Sequence, residues 1–353
     1  ALSGAVYIFI REGSSWSQQA YIKASNTDSE DHFGNSISLS ADGNTLAVGA
    51  YAEDSIALGI NGDQTDNFKT QSGAVYVFTR SDSTWSQQAY VKASNLSSLG
   101  LFGSVVSLSS NGDTLAVSAP KEDGGSIGVN GDQSDPTGLN SGAVYVFERD
   151  DSTWSQQAYI KADIVDVELR FGFSLSLSGD GNTLAIGAMD DSNATGVDGI
   201  STDGAHNSGA VYVYVRDGTS WDQEAKIKAS NTDTFDEFGS SVSLSSDGNT
   251  LAVGAGLESS RSIGIDGIQS DNSSFASGAV YVFERDVFNW SQQAYIKASN
   301  TDSEDYFGTS ISLSADGNTL AVGALDEDSS AFGINGDQES DLQSKVNSGA
   351  VYL

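Results

Sequence analysis

Phe33-Gly34-Asn35-Ser36-Ile37-Ser38-Leu39-Ser40 runs into the turn Asp42-Gly43, and the chain goes on Asn44-Thr45-Leu46-Ala47-Val48-Gly49-Ala50. A long acidic loop follows, then Ser72-Gly73-Ala74-Val75-Tyr76-Val77-Phe78, and after it Trp85-Ser86-Gln87-Gln88-Ala89-Tyr90-Val91-Lys92-Ala93. The Phe-Gly pair returns at Phe102, Phe171, Phe238 and Phe307, spaced by 69, 69, 67 and 69 residues. The Ser-Gly-Ala-Val-Tyr block occurs six times, from Ser3, Ser72, Ser141, Ser208, Ser277 and Ser348. A fixed long period is the signature of a repeat architecture, and it decides the fold.

Each repeat reads as four strands. Ser36 to Ser40 and Leu46 to Gly49 alternate in polarity, as half-buried strands do, and Asp42-Gly43 between them is a strong hairpin signal. Ile and Leu line one face of that hairpin and Ser, Ala and Gly the other, which suits sheets stacked face to face. Ala74 to Phe78 is apolar on both faces and belongs in a sheet interior. The stretch from Trp85 to Ala93 alternates and carries Lys92, as outer edge strands do. No segment has helical periodicity. The sequence therefore predicts an all-β protein, a β-propeller of four-stranded antiparallel blades.

The Phe-Gly opening of each blade and the Gly-Ala that closes its second strand resemble FG-GAP repeats, with Pro120 following Ser118-Ala119 in one copy. The resemblance implies the blades of integrin α-subunit propellers and of large secreted or surface-attached bacterial proteins. Integrin-type propellers have seven blades. Here five Phe-Gly strands and five Trp strands (Trp16, Trp85, Trp154, Trp221, Trp290) predict five. Residues 1–353 then form one domain, with 1–25 and 307–353 sharing a blade that closes it. One third-strand copy, at Ser3 or Ser348, is left to spare and is free to pair with another molecule. The chain opens inside a repeat, as a mature product or an excised piece would.

Sixteen Lys and Arg against 48 Asp and Glu give a net charge of −32. That charge repels nucleic acid and anionic membrane surfaces and attracts cations. There is no cysteine, hence no disulfide or thiolate metal site. No apolar run is long enough for a transmembrane helix, so membrane insertion is not expected.

The acidic loops between second and third strands hold the candidate metal ligands: Asp54, Asn61, Asp63 and Asp66, then Asp123, Asn130, Asp132 and Asp135. Later copies supply Asp191, Asp198 and Asp203, then Asp266 and Asp271, and finally Asp328, Asn335, Asp337 and Asp341. A second acidic set, Asn26 to Asp31, precedes the Phe-Gly pair, recurs around Asp233 and Asp302, and is lost from Leu96 to Leu101. Oxygen-rich loops tightened by glycine are what Ca²⁺ requires, while the same residues also form Asx-turns that order long loops. The calcium loop usual in FG-GAP repeats lies between first and second strands and is replaced here by Asp-Gly.

Signals of catalysis are sparse. His32 and His206 fall at non-equivalent positions. Gly124-Gly125-Ser126-Ile127-Gly128 matches the nucleophile-elbow string but has no helix after it. The sequence thus predicts a non-enzymatic extracellular or bacterial cell-surface module for binding or adhesion. Its acidic loop face would be presented to a protein or glycan, with Ca²⁺ as a candidate cofactor. The alternative is a building block of a surface layer or extracellular filament, self-associating through edge or exchanged strands.

Overall fold

The computed structural model describes residues 2–95, 97–192, 196–198, 205–287, 289–329, 332–336, 338 and 348–353. It is all-β, and its blades are those of a five-bladed β-propeller. The chain begins with β1 (Val6–Glu12) and β2 (Ser15–Ile22), a two-stranded sheet. Four four-stranded blades follow. The first is β3 (Ile37–Leu39), β4 (Thr45–Ala50), β5 (Ala74–Ser81) and β6 (Thr84–Val91). The second is β7 (Val106–Leu108), β8 (Thr114–Ala119), β9 (Ala143–Asp150) and β10 (Thr153–Ile160). The third is β11 (Ser174–Leu177), β12 (Thr183–Ala188), β13 (Ala210–Asp217) and β14 (Ser220–Ile227), and the fourth is β15 (Ser241–Leu244), β16 (Thr250–Ala255), β17 (Ala279–Asp286) and β18 (Asn289–Ile296). The fifth blade comprises β19 (Phe307–Leu313), β20 (Leu320–Ala324) and β21 (Ala350–Tyr352). Two compact units divide the chain, residues 1–173 with 218–221 and residues 174–217 with 222–353.

The terminal pairing differs from the expected shared blade. Beside β20 the third-strand place is taken by the copy at Ser348, through Val322↔Tyr352 and Ala324↔Ala350, and not by the copy at Ser3, whose β1 pairs with β2. β21, the strand of the copy at Ser348, follows β20 after 25 residues (325–349), while the copy at Ser3 stands about 300 residues away in the chain, and closing the shorter connection costs less chain entropy.

The order of residues within a blade follows from burial. In β5 every residue from Ala74 to Phe78 is buried, and fully burying one such side chain contributes roughly 1.5–3 kcal/mol. Phe102 sits edge-on to Tyr145 and Phe147 of its own blade, with ring centroids 5.3 and 6.2 Å away. A Cβ on Gly73 (φ +80°) would come within 2.0 Å of the Phe102 carbonyl oxygen, so the Ser-Gly of one blade and the Phe-Gly of the next are required together. The serines of the first strand have a role across blades. Ser36 and Ser38 hydroxyls accept the amides of Val106 and Leu108 at 3.0 and 2.9 Å, which satisfies donors on an otherwise unpaired strand edge.

The Trp-Ser-Gln-Gln wording is a bulge. The ladder between third and fourth strands shifts register at the second Gln, leaving Gln19 and Gln88 unpaired in the ladder. A bulge re-aims a side chain. Gln19 Oε1 accepts Trp85 Nε1 at 3.0 Å, and Gln88 Oε1 accepts Trp154 Nε1 at 2.8 Å. The Asp-Gly turn is a longer connection than a two-residue hairpin. Only Gly43 has positive φ, Gly43 N–H donates to the Ser40 carbonyl, and Asp42 Oδ1 accepts Asn44 N–H.

Candidate functional site

The lysine of the fourth strand lies inside the blade, not at a solvated edge. Lys92, Lys161, Lys228 and Lys297 are all buried. Lys161 Nζ donates to Glu122 Oε2 at 2.8 Å and to Ser141 Oγ at 2.6 Å. Glu122 Oε1 also accepts from Tyr159 Oη at 3.1 Å and Asn95 Nδ2 at 2.6 Å. Burial lowers the Lys161 pKa despite the Glu122 charge, and burial followed by that charge drives Tyr159 upward. Glu53 and Lys92 repeat the pair at 2.6 Å, and Glu258 and Lys297 at 2.8 Å. In the third blade the acid is the shorter Asp191, and Lys226 stands where other copies have tyrosine. Lys226 reaches Asp191 at 2.9 Å, beside Lys228 at 3.4 Å. Asp191, aligned by sequence with the metal candidates, thus occupies the place of Glu53.

The remaining candidate ligands are mostly acceptors for backbone amides. Asn61, Asn130, Asp198, Asp266 and Asn335 all take φ near +50°, a conformation Asn and Asp tolerate better than other non-glycine residues. Oδ1 of the first four accepts a fourth-strand amide, from Tyr90, Tyr159, Lys226 and Tyr295 respectively, at 2.9–3.0 Å. Asp63 accepts Thr65 N–H and Asp132 accepts Ser134 N–H, each at 2.9 Å. Asp66 accepts Ile56 N–H, Asp135 accepts Thr137 N–H, and Asp271 accepts Ser273 N–H. Asp54 accepts Gln71 N–H and Asp123 accepts Asn140 N–H. Asp328 lies in the fifth-blade loop, while Asp203, Asp337 and Asp341 fall outside the described residues. Among the described residues, no group of three or more His, Cys, Asp or Glu is placed to hold an ion.

The second acidic set contains buried acids. Asp31, Asp236 and Asp305 accept the amide three residues back, from Asp28, Asp233 and Asp302. Burial raises them, with smaller contributions from neighbouring carboxylates, to about 6, 7 and 6.

Among the described residues, one loop junction stands open. At two other junctions Asn67 Nδ2 donates to Asp28 Oδ2 at 3.0 Å and Asn272 Nδ2 to Asp233 Oδ2 at 2.9 Å, bridging the gap. In the second blade Pro136 replaces that Asn and Ser97 replaces that Asp. Proline has no donor to offer. The bridge is lost, and a cavity of about 610 Å³ opens between Ser94–Ser98 and the 122–136 loop. Lys69 lines it in a place held by Gly138 and Ser274 in other copies. Among the described residues no hydrogen bond or ion pair engages its ammonium. Asp135 also lines the cavity. A Cβ on Gly125 would come within 2.7 Å of Asp135 Oδ2 and 2.0 Å of Thr137 Oγ1, so glycine there admits both groups. Ser126 of the nucleophile-elbow string follows in the same loop, with no helix after it.

The sequence matches the FG-GAP repeat family at residues 16–78, 85–147, 221–283 and 290–353. No curated protein matches it. Among solved structures, the chain is similar to a periplasmic gluconolactonase from Pseudomonas aeruginosa, 16% identical, with 90% of this chain and 70% of that one covered and a TM-score of 0.50. A putative 6-phosphogluconolactonase from Bacteroides uniformis aligns at 12% identity over 94% of this chain and 76% of that one, with a TM-score of 0.46. The gluconolactonase shares this fold, and that corrects the expectation of a non-enzymatic module, whether for binding or as a building block. The fold also frames a lactonase, so the lack of a catalytic motif in the repeat does not exclude catalysis. Propeller loops supply side chains from separate blades, and such a set leaves no local string to recognise.

Proposed function

Because the chain belongs to the FG-GAP repeat family, and its second blade carries an unbridged junction, we propose that it is a hydrolase of small polyhydroxylated lactones acting in that cavity. The observation that carries this reading is the replacement of the Asn–Asp bridge by Pro136 and Ser97, which brings Lys69 and Asp135 into one polar recess. Ser94, Asn95, Ser98 and Gln133 supply the hydroxyl and amide groups that suit a sugar-derived ring. In the proposed step the Asp135 carboxylate takes a proton from water as the water oxygen adds to the lactone carbonyl. The Lys69 ammonium faces the oxyanion that develops. The ring C–O bond then breaks, and the leaving alkoxide takes the proton back from Asp135 to give the open hydroxy acid. The same reading puts the chain outside the cytoplasm, in keeping with its net charge of −32 and with the periplasmic setting of the gluconolactonase.

The test is the rate of proton release from a panel of aldonolactones, measured against spontaneous hydrolysis. Lys69→Ala and Asp135→Asn are each expected to lower kcat/KM by roughly 10²–10⁴-fold, as removal of an oxyanion partner or a general base does. The double variant Ser97→Asp with Pro136→Asn, which rebuilds the bridge, should raise KM. Rates equal to background across the panel, or unchanged in both single variants, would sink the proposal.

A further inference from the structure

A second cavity, of about 340 Å³, lies against the strand ends of the first unit and has the opposite chemistry. Tyr51, Leu101, Val105, Pro120 and Phe173 make its walls mainly apolar, and its two charged residues are Lys121 and Arg170. Among the described residues no carboxylate lines it, although acids outnumber bases 48 to 16 in the chain. The repeats otherwise agree closely, and four of the positions at which they vary converge here. Lys121 stands where other copies have Ala52, Asp190, Leu257 and Asp326. Arg170 replaces His32, Leu101, Glu237 and Tyr306, and Phe173 replaces Asn35, Ser104, Ser240 and Thr309. Pro120 replaces Tyr51, Met189, Gly256 and Leu325.

Backbone contacts hold these residues in place. Arg170, at φ +53°, donates its amide to the Asn140 carbonyl, and Phe173 N–H donates to the Arg170 carbonyl at 3.0 Å. Lys121 N–H is held by the Gly100 carbonyl, while no ion pair is formed by its ammonium among the described residues. Arg170 lies 3.9 Å from Glu168 and is still about one-third exposed. Tyr51 is fixed by stacking on His32, with ring centroids 5.0 Å apart.

We propose that this cavity is a binding site for a small amphipathic anion, an organic carboxylate with an aryl or short alkyl body. An apolar recess with a few placed polar groups is the usual form of a small-molecule site, and this volume lies at the low end of that range. The apolar walls take the body, and Lys121 with Arg170 takes the carboxylate. The site is separate from the cavity of Lys69 and Asp135, and it stands whether or not that cavity hydrolyses lactones.

Titration calorimetry with phenylacetate, and with neutral phenylacetamide as the isosteric control, tests it on the intact chain. Phenylacetate is expected to bind about tenfold more tightly than the amide, the size of one partly solvated charge contact. Lys121→Ala and Phe173→Ser install residues already present at the same place in other copies, so folding is preserved. Each is expected to weaken phenylacetate roughly tenfold, and Lys121→Ala should also erase the preference for acid over amide. Lys69→Ala should leave both affinities unchanged. Equal affinity for acid and amide, an unaltered preference in Lys121→Ala, or no binding of either compound would each overturn the proposal.

Discussion

Asp236 sets up a dependence of stability on pH whose sign and size follow from its surroundings. Its side chain is 3% exposed and accepts the Asp233 amide at 2.9 Å. Burial is the largest cause of its rise to about 7. Glu258 and Asp233 add to the rise, while the Asp233 amide and Lys297 oppose it. In the unfolded chain the group returns to about 3.9. Between those values the folded state keeps a proton that the unfolded state has released, so stability falls as pH rises through the window. A rise of about three units corresponds to about 4 kcal/mol at the top of the window, at about 1.36 kcal/mol per unit. About two of those units lie above pH 5. Asp236→Asn keeps an acceptor for the Asp233 amide and removes the ionisation. Urea unfolding at about pH 5 and pH 8 should therefore show the variant gaining on the parent by roughly 3 kcal/mol between the two conditions. A gap that stays constant, or one that narrows toward pH 8, would refute the assignment of burial as the dominant cause.

Lys161→Met removes the cation from a pair in which Glu122 is 2% exposed. It should cost about 3–5 kcal/mol in urea unfolding, because a buried carboxylate is left uncompensated. A loss below about 1 kcal/mol would mean that Tyr159 and Asn95 alone suffice for Glu122. Calcium binding by the Asn-Gly-Asp loops is a proposal for thermal unfolding to decide. With Oδ1 of Asp63 and Asp132 already engaged by backbone amides, a calcium-dependent rise in Tm is expected only at about millimolar ion, the weak end of known sites. A large rise at micromolar calcium would show that those oxygens leave their turns to bind the ion.

The fold was legible because strand period, Phe-Gly spacing and the six Ser-Gly-Ala-Val-Tyr blocks are local signals that repeat. Other features were not, and each for a physical reason. Lys92 in an alternating strand looks solvated until Glu53, thirty-nine residues earlier, is seen to meet it at 2.6 Å inside the blade. The Asn61 position looks like a metal ligand, yet a left-handed backbone and the Tyr90 amide account for it. Both facts depend on tertiary pairing, which no local window contains. A signal for Glu53 was nonetheless available. Glu53, Glu122 and Glu258 each stand thirty-nine residues before a lysine and Asp191 breaks step in the same blade as Lys226, so acid and partner vary together.

That co-variation inside one chain points to where function should be sought. A repeat protein states its structural requirements several times, and whatever the copies share is explained first by the blade. The Trp–Gln contact, the Phe-Gly seat and the buried acid–lysine pair all recur and all serve packing. Residues that depart from the repeat are free of that demand, and here they do not scatter. Lys69, Ser97 and Pro136 gather at one cavity, and Pro120, Lys121, Arg170 and Phe173 at another. The first opens because a bridging hydrogen bond present at two other junctions cannot form. The second exchanges small, acidic or neutral residues for two cations and an aromatic ring. The acids common to every blade answer first to the turns they order, so the residues that set one loop junction apart from the others are where a site is to be sought.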